Sequence, residues 1–418
     1  MDKVVIVGAS LAGVHAAEAL REHGYSGSIT LVDQHVGPVH DRPPLSKGAL
    51  SGKTPLSACV LRPESWAKEF AIDYLGGRSV VGLDTDSRFV TLEGGSRLPF
   101  DGLVIATGLR PRPAPWLPAG TPGLHLVRTD DDAQRLGDEM RSASSVVVVG
   151  GGFLGLEVAS TARSLGLDVT VVEYESSLLS RVLPPELGEW FANVHRRNGV
   201  AVRTDTAVIG VQESQPGLTV RLSDGDEIET ELLVVALGAE PVTEWLTGSG
   251  IEIDDGVVCN ADLSTSVGGV VAAGDVVRWP HPETGKCVRL EHWTNAVEQG
   301  RHAAGTLLGA NEPFRCVPYF WTDQFDARAR FVGWVSPTHE IFVKSSHEDS
   351  LVVAFGDRDE LQGALCVNEP KELAAMRRLI DQGTAWSEVA DGDAKTDNVP
   401  TTDATRTVTP NEVGGMDE

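Results

Sequence analysis

Apolar residues in this chain gather in short unbroken runs, and two of these runs lead through a glycine-rich turn into a stretch with helical period. Val4-Val5-Ile6-Val7 runs into Gly8-Ala9-Ser10-Leu11-Ala12-Gly13, and Val146-Val147-Val148-Val149 runs into Gly150-Gly151-Gly152-Phe153-Leu154-Gly155. A run of β-branched residues closed by glycine predicts a strand buried on both faces, then a tight turn, then a helix start. The first unit reads as a strand at Val4 to Val7, a helix from about Ala12 to Glu22 and a strand from Ile29 to Asp33. The second begins at Ser145 and reaches Val169 to Glu173, repeating the first at an offset of about 140 residues. A duplicated βαβ architecture follows.

The remaining pattern places these two units in a larger frame. His40 to Lys47 is a polar loop held extended by Pro43 and Pro44. A hairpin surrounds Gly94-Gly95, and Leu103-Val104-Ile105-Ala106 is a buried strand ending at Thr107-Gly108. Pro111, Pro113, Pro115, Pro118 and Pro122 make Arg110 to Gly123 a crossing between domains rather than a regular element. Hairpins follow around Gln215-Pro216-Gly217 and Asp224-Gly225, and a strand at Leu232 to Leu237 ends at Gly238-Ala239-Glu240-Pro241. Val270 to Ala273, closed by Gly274-Asp275, returns the chain to the first domain, with a helix from about Thr294 to Leu308 behind it. From about Tyr319, short strand-like runs precede a helix from Pro370 to about Gln382, a small α+β domain. The expected fold is α/β, with two Rossmann-like dinucleotide-binding domains and a small C-terminal α+β domain. The expected limits are 1–109 with 241–318 for the first, 110–240 for the second and 319–390 for the third. The tail 391–418, rich in Asp, Thr, Pro and Gly, is expected to be disordered and acidic.

Composition narrows the class. With 418 residues, 41% hydrophobic and 23% charged, this is the profile of a globular protein of two or three domains. A net charge of -25 argues against nucleic acid and anionic lipid as partners, both of which need a cationic surface. No apolar stretch approaches the roughly 20 residues that span a bilayer. Met1-Asp2-Lys3 passes directly into the first strand, so a cytoplasmic location is expected. Cys59, Cys259, Cys287, Cys316 and Cys366 stand far apart, without a Cys-x-x-Cys motif. That spacing excludes a local redox disulfide of the common type, a zinc ribbon and a cysteine-ligated cluster, and no metal site is expected.

Two strand–turn–helix units of this kind point to two bound dinucleotides, because backbone N–H groups and the helix dipole form a cradle for pyrophosphate. The usual purpose of such pairing is hydride passage from a nicotinamide to a flavin. In the first turn Ser10 replaces the middle glycine, and its hydroxyl is placed to donate to phosphate. Asp33, at the end of the second strand, is positioned to accept from ribose hydroxyls. The second turn fits the fingerprint fully, and Glu173 ends its second strand. A carboxylate there bonds a 2'-hydroxyl and repels a 2'-phosphate, which predicts NADH over NADPH. Arg181 is either over the adenine side or a surface arginine.

The chain resembles the FAD-dependent NADH:ferredoxin reductases, of the putidaredoxin reductase, rubredoxin reductase and Rieske-oxygenase ferredoxin reductase type. The resemblance covers roughly residues 1 to 385. Its carriers are the two glycine turns, Arg42-Pro43-Pro44-Leu45-Ser46-Lys47, Ala106-Thr107-Gly108, Ala273-Gly274-Asp275, Arg289-Leu290-Glu291-His292-Trp293 and Trp321-Thr322-Asp323-Gln324. It implies a glutathione-reductase-like arrangement with FAD in the first domain and NADH in the second. Ala12, Asp33, Lys47, Val80, Arg128, Asp275 and Trp293 are the implied FAD contacts, with Trp293 either touching the ring or only packing. The wider cofactor-binding set takes in Gly8, Ser10, Leu11, Gly13, Arg42, Pro44, Ala106, Thr107, Gly108, Gly274, Glu291, His292 and Trp321. On the nicotinamide side it takes in Gly150, Gly152, Phe153, Leu154, Gly155, Glu157, Glu173 and Gly238. Lys47 near the flavin would be a buried cation needing a partner, and the resemblance offers Glu157. The pair is expected to act through geometry and electrostatic support rather than proton transfer. Trp321 is either at the flavin edge or in the core.

The implied activity is electron transfer from NADH through FAD to a separate acidic ferredoxin, of [2Fe-2S] or similar type, serving a cytochrome P450 or Rieske-type oxygenase. Arg328, Arg330, Lys371, Arg377 and Arg378 are the candidate docking cations. An NADH oxidase or disulfide reductase on the same fold is the nearest alternative, but the loop from Asp33 to Lys47 contains no cysteine. A flavoprotein of the apoptosis-inducing-factor type is the other, and its DNA association conflicts with the net charge of -25.

Overall fold

The computed structural model describes residues 1–390 except 115, 118, 119, 216, 282–284 and 358. The tail expected to be disordered, 391–418, lies outside the described residues.

Two five-stranded parallel sheets carry the molecule. The first has the spatial order Val270–Ala272, Gly102–Ile105, Lys3–Val7, Ser28–Val32, Ile72–Leu75. The second has the order Ala201–Arg203, Asp168–Val172, Ser145–Val149, Leu232–Val235, Leu124–His125. Their centres superimpose in register: Lys3 faces Ser28 and Val7 faces Val32, just as Ser145 faces Asp168 and Val149 faces Val172. After their first residues both central strands are apolar and buried, because helices cover one face and antiparallel strands cover the other, as Val208–Ser214 and Gly217–Leu222 do against Val147 and Val149 in the second unit. In each unit the glycine turn feeds a 12-residue helix, Leu11–Glu22 or Phe153–Ser164.

The glycines make that close packing possible. A side chain on Gly13 would place its Cβ 1.8 Å from the carbonyl oxygen of Gly8, and one on Gly155 would stand 2.1 Å from that of Gly150. Gly8 and Gly150 also have positive φ, 104° and 110°, and press against the carbonyls of Ala106 and Ala236.

The proline-rich crossing departs from expectation at its start. Leu109–Pro111 is a short strand, antiparallel to Ala239–Pro241, so the outward and return crossings form one two-stranded ribbon. Arg110 and Glu240 close it with an ion pair of 2.6 Å. Proline is tolerated because a two-stranded ribbon has only edges.

The C-terminal unit is a five-stranded antiparallel sheet, ordered Tyr319–Gln324, Ala327–Gly333, Glu360–Val367, Leu351–Asp357, Glu340–Ser346, with the Pro370–Asp381 helix against it. Its Phe331, Phe355 and Leu365 share one core with Leu156, Phe191 and Val171 of the second parallel-sheet unit. The helices Asp130–Met140 and Pro185–Arg197 had no counterpart in the sequence reading. The first is announced by a capping box, Thr129 with Asp132.

Candidate active site

The two turns hold carboxylates in the same way. The amide of Ala9 donates to Asp33 Oδ2 at 2.6 Å, and the amide of Gly151 donates to Glu173 Oε2 at 2.5 Å. The other oxygen of each accepts from the amide two residues further on, His35 at 2.7 Å and Glu175 at 2.9 Å. Each carboxylate is thus oriented by backbone and keeps lone pairs for ribose hydroxyls. Ser10 is the N-cap of its helix and makes no capping bond, so its hydroxyl remains available. Its counterpart Gly152 has open space where a Cβ would sit, which is why a small side chain is tolerated at this point.

The first turn faces a group of charges. Burial and neighbouring Arg42 push the Arg128 guanidinium down to about 10, which leaves it a cation at neutral pH. Burial pushes the Asp275 carboxyl up, opposed by Arg42 and Arg128. Arg128 also donates to the Leu109 carbonyl at 2.6 Å. Two cations converging beside a turn with open amides fit a pyrophosphate, and Asp33 and Asp275 fit the hydroxyl-rich parts of FAD. Gly274, at φ 83°, donates to Gln299 Oε1 at 2.9 Å and has Ala12 close against it. Thr107 donates to the Val242 carbonyl at 2.7 Å, and Gly108 accepts from the Val242 amide at 3.0 Å, so both bind the ribbon to the first sheet.

Lys47 and Glu157 meet. Lys47 Nζ is 2.6 Å from Glu157 Oε2, and its other donors reach the Pro43 carbonyl at 3.2 Å and Ser46 Oγ at 3.4 Å. Lys47 ends the 3-10 turn Pro43–Ser46, in which Pro44 accepts from its amide; Glu157 lies in the Phe153–Ser164 helix. The ion pair therefore bridges the loop of the first unit and the helix of the second.

What sequence reasoning missed is the support behind this pair. Ser46 Oγ donates to Glu157 Oε2 at 2.6 Å, and Thr322 Oγ1 donates to Glu157 Oε1 at 2.7 Å. Gln324 Nε2 donates to Thr322 Oγ1 at 3.2 Å, and His195 Nε2 lies 3.0 Å from Gln324 Oε1. Thr322, Gln324 and His195 are fully buried, and burial pushes His195 down to about 4, so its imidazole is neutral. The network assigns its proton to Nε2. Every donor in this chain then points toward the Glu157 carboxylate. The signal was present: strand alternation puts Thr322 and Gln324 on the inner face and Trp321 and Asp323 on the other.

Aromatic residues stand nearby. Trp293 Nε1 donates to Asp41 Oδ1 at 2.8 Å, and its ring lies 6.3 Å from that of Trp321, which lies 6.1 Å from Tyr319. Both tryptophans are half-buried rather than enclosed. His292 caps the Trp293–Leu307 helix with its ring 4.8 Å from Phe320, and Glu291 is turned to Arg289 at 2.8 Å. Phe153 packs edge-on against Phe320 and Phe331, at 4.9 and 5.6 Å, while Leu154 is exposed. Val80 begins a strand, Val80–Asp84, packed on the first core. Arg181 reaches toward Gly238, 3.1 Å from where its Cβ would be.

All five cysteines are free thiols. Cys59 is buried, and burial and Asp41 push its thiol up, which disfavours the reactive thiolate.

Known proteins share this organisation. Residues 319–398 match a family described as Reductase C-terminal. Rhodocoxin reductase of Rhodococcus erythropolis is 36% identical over 381 residues, covering 90% of this chain and 89% of the relative. The ferredoxin–NAD(+) reductase subunit of the benzene 1,2-dioxygenase system of Pseudomonas putida is 33% identical over 381 residues, covering 91% and 92%. The covalent putidaredoxin reductase–putidaredoxin complex contains a chain 33% identical, with a TM-score of 0.87 over 91% of this chain and 93% of the other. Residues 2–300, which hold both glycine turns, match the pyridine nucleotide-disulphide oxidoreductases, and this chain belongs to that family.

Proposed function

We infer that this protein is an NADH:ferredoxin oxidoreductase, taking electrons from NADH through FAD and passing them to a small iron–sulfur protein that serves a P450 or Rieske-type oxygenase. The observation that carries this reading is the Lys47–Glu157 contact, which joins the loop beside the first dinucleotide turn to the helix of the second. Relatives over nine-tenths of the chain bear names of this activity, including one from a dioxygenase system. Bound FAD supplies a two-electron acceptor that can release electrons one at a time.

The protein's part is to bind and orient. Ser10, Arg42 and Arg128 would hold the FAD pyrophosphate, Asp33, itself fixed by the Ala9 amide, the adenosine ribose, and Asp275 the ribitol. Gly150, Gly152 and Gly155 admit the NADH pyrophosphate, and Glu173 takes its ribose hydroxyls and turns away a 2'-phosphate. Lys47, held by its ion pair with Glu157, would present its ammonium dipole to the flavin at a smaller cost than an unpaired buried charge. Residues 1–109 with 241–318 form the FAD domain and 110–240 the NADH domain, and the protein works in the cytoplasm. Among the described residues no helix is long and apolar enough to cross a membrane. The oxidase and disulfide-reductase alternatives lack support because Cys59 is a buried thiol of raised pKa.

Docking of an acidic ferredoxin rests on Arg328, Lys371, Arg377 and Arg378. Arg330 is already engaged by Asp323 at 2.7 Å. Anaerobic stopped-flow mixing with NADH tests the reading. Bleaching of the flavin band, and reduction of a one-electron acceptor only when a small ferredoxin is added, are expected. Failure of NADH to bleach the flavin overturns it.

A further inference from the structure

His35, His40 and Asp130 form a cluster that the electron-transfer reading leaves unused. His35 and His40 belong to the loop after the Ser28–Val32 strand, and Asp130 is the first residue of the Asp130–Met140 helix. His35 Nε2 is 3.4 Å from Asp130 Oδ1, and His40 Nδ1 is 3.3 Å from Asp130 Oδ2. One ligand atom from each residue can be chosen so that all three lie within 4.8 Å of one another.

We propose that these three side chains bind a divalent transition-metal ion of borderline softness, with Zn2+ as the representative, leaving a fourth position for water. Around a tetrahedral zinc with ligands at about 2.0–2.1 Å, neighbouring ligand atoms are about 3.3–3.4 Å apart. Each histidine stands at that separation from one oxygen of Asp130, His35 from Oδ1 and His40 from Oδ2, so an ion between the rings is held by both oxygens or by one after a small turn of the carboxylate. These contacts are poor hydrogen bonds: His40 Nδ1 is a buried nitrogen without a hydrogen-bond partner, although Asp130 is beside it. The His40 side chain is only 10% exposed, against 27% for His35, so the set is rooted inside and open on one side.

The ligands are also held in place without the metal. The His35 amide is tied to Asp33 Oδ1 at 2.7 Å, and His40 is paired with Val60 in an isolated bridge. Asp130 is free of capping duty, because Thr129 and Asp132 close the capping box. Two imidazoles select against Mg2+ and Ca2+, which take oxygen ligands, and favour the zinc-like ions.

The cluster joins the segment between Asp33 and Arg42 to the helix just beyond Arg128. Metal binding therefore clamps two FAD-holding segments together and slows loss of FAD, a consequence that rests on the proposed function. Zinc binding itself does not depend on it.

The test uses the full FAD-loaded chain, stripped with EDTA and titrated with Zn2+ against a chromophoric chelator. One zinc per chain is expected, with affinity falling about tenfold or more in His35→Ala and in Asp130→Asn. A control, His347→Ala, leaves it unchanged, and all variants keep the visible flavin spectrum. Absence of stoichiometric uptake by the unaltered protein overturns the proposal. So does uptake that survives both ligand substitutions undiminished. Release of FAD, followed by its fluorescence on dilution, is expected to slow with Zn2+ only where the three ligands are intact. If zinc binds with the ligand dependence stated but FAD release is unaltered, the site stands and the clamp is refuted.

Discussion

Thr322→Val removes one hydroxyl and keeps the side-chain shape, so it isolates the support of the Lys47–Glu157 pair. Thr322 is fully buried; its hydroxyl donates to Glu157 Oε1 at 2.7 Å and accepts from Gln324 Nε2 at 3.2 Å. A hydrogen bond to a charged group is worth about 1.5–3 kcal/mol, and the stranded Gln324 amide adds about 1 kcal/mol. The expected loss is about 2.5–4 kcal/mol. Unfolding entropy of roughly 2.1 cal/mol/K per residue over residues 1–390 is about 0.8 kcal/mol/K, so Tm should fall by about 3–5 °C. The assay is thermal unfolding at fixed excess FAD, because bound ligand itself raises Tm. Flavin fluorescence and circular dichroism must give coincident transitions for the arithmetic to hold. The same substitution in a Glu157→Gln background, where the acceptor is neutral, is expected to cost about half as much. A drop below about 1 °C, or an identical drop in both backgrounds, would refute the view that Thr322 holds the Glu157 charge.

Further outcomes follow from the same structure. Gly13→Ala is expected to abolish FAD retention, because its Cβ would stand 1.8 Å from the Gly8 carbonyl oxygen. Gly155→Ala, with 2.1 Å to the Gly150 carbonyl oxygen, should raise KM for NADH while the protein stays yellow; loss of FAD there would contradict two separate cradles. NADH should be preferred over NADPH in kcat/KM, since a carboxylate and a phosphate about 5 Å apart repel by about 3 kcal/mol at an effective dielectric of about 20. Glu173→Ala should shrink that preference by about two orders of magnitude, and comparable wild-type efficiencies would remove the role given to Glu173. Burial holds His195 at about 4 against an ordinary 6.5, so the unfolded chain takes up the proton first as pH falls. The stability from this site is complete above pH 6.5 and is lost toward pH 4, at most about 3 kcal/mol. In His195→Gln the fall in Tm between pH 7 and pH 4.5 should be smaller than in the wild type; an equal fall would mean His195 does not titrate on unfolding.

Much of the architecture was legible because its signals are local. Four consecutive β-branched residues ahead of a glycine mark a covered parallel strand wherever they occur, and Asp33 and Glu173 stand at strand ends fixed by that pattern. The Leu109–Pro111 strand was not legible, because only the return of Ala239–Pro241 from far along the chain gives it a partner. The Pro185–Arg197 helix carries local signals of its own, Pro185 in its first turn and Leu187, Phe191 and Val194 at helical spacing; only the tie from His195 to Gln324 depends on the C-terminal sheet.

By itself, then, the amino-acid order determined two strand–glycine turn–helix units, the carboxylate that goes with each, and the absence of a paired-cysteine motif. Those features depend on residues close in sequence, whose backbone geometry needs no distant partner. Only the tertiary structure decided that Ser46, Thr322, Gln324 and His195 stand in line behind Glu157. The same holds for the approach of Asp130 to His35 and His40. A polar side chain in a strand or helix carries no mark of what it will meet. Burial makes an unmet donor or acceptor costly, so its partner is chosen by the packing of elements far apart along the chain.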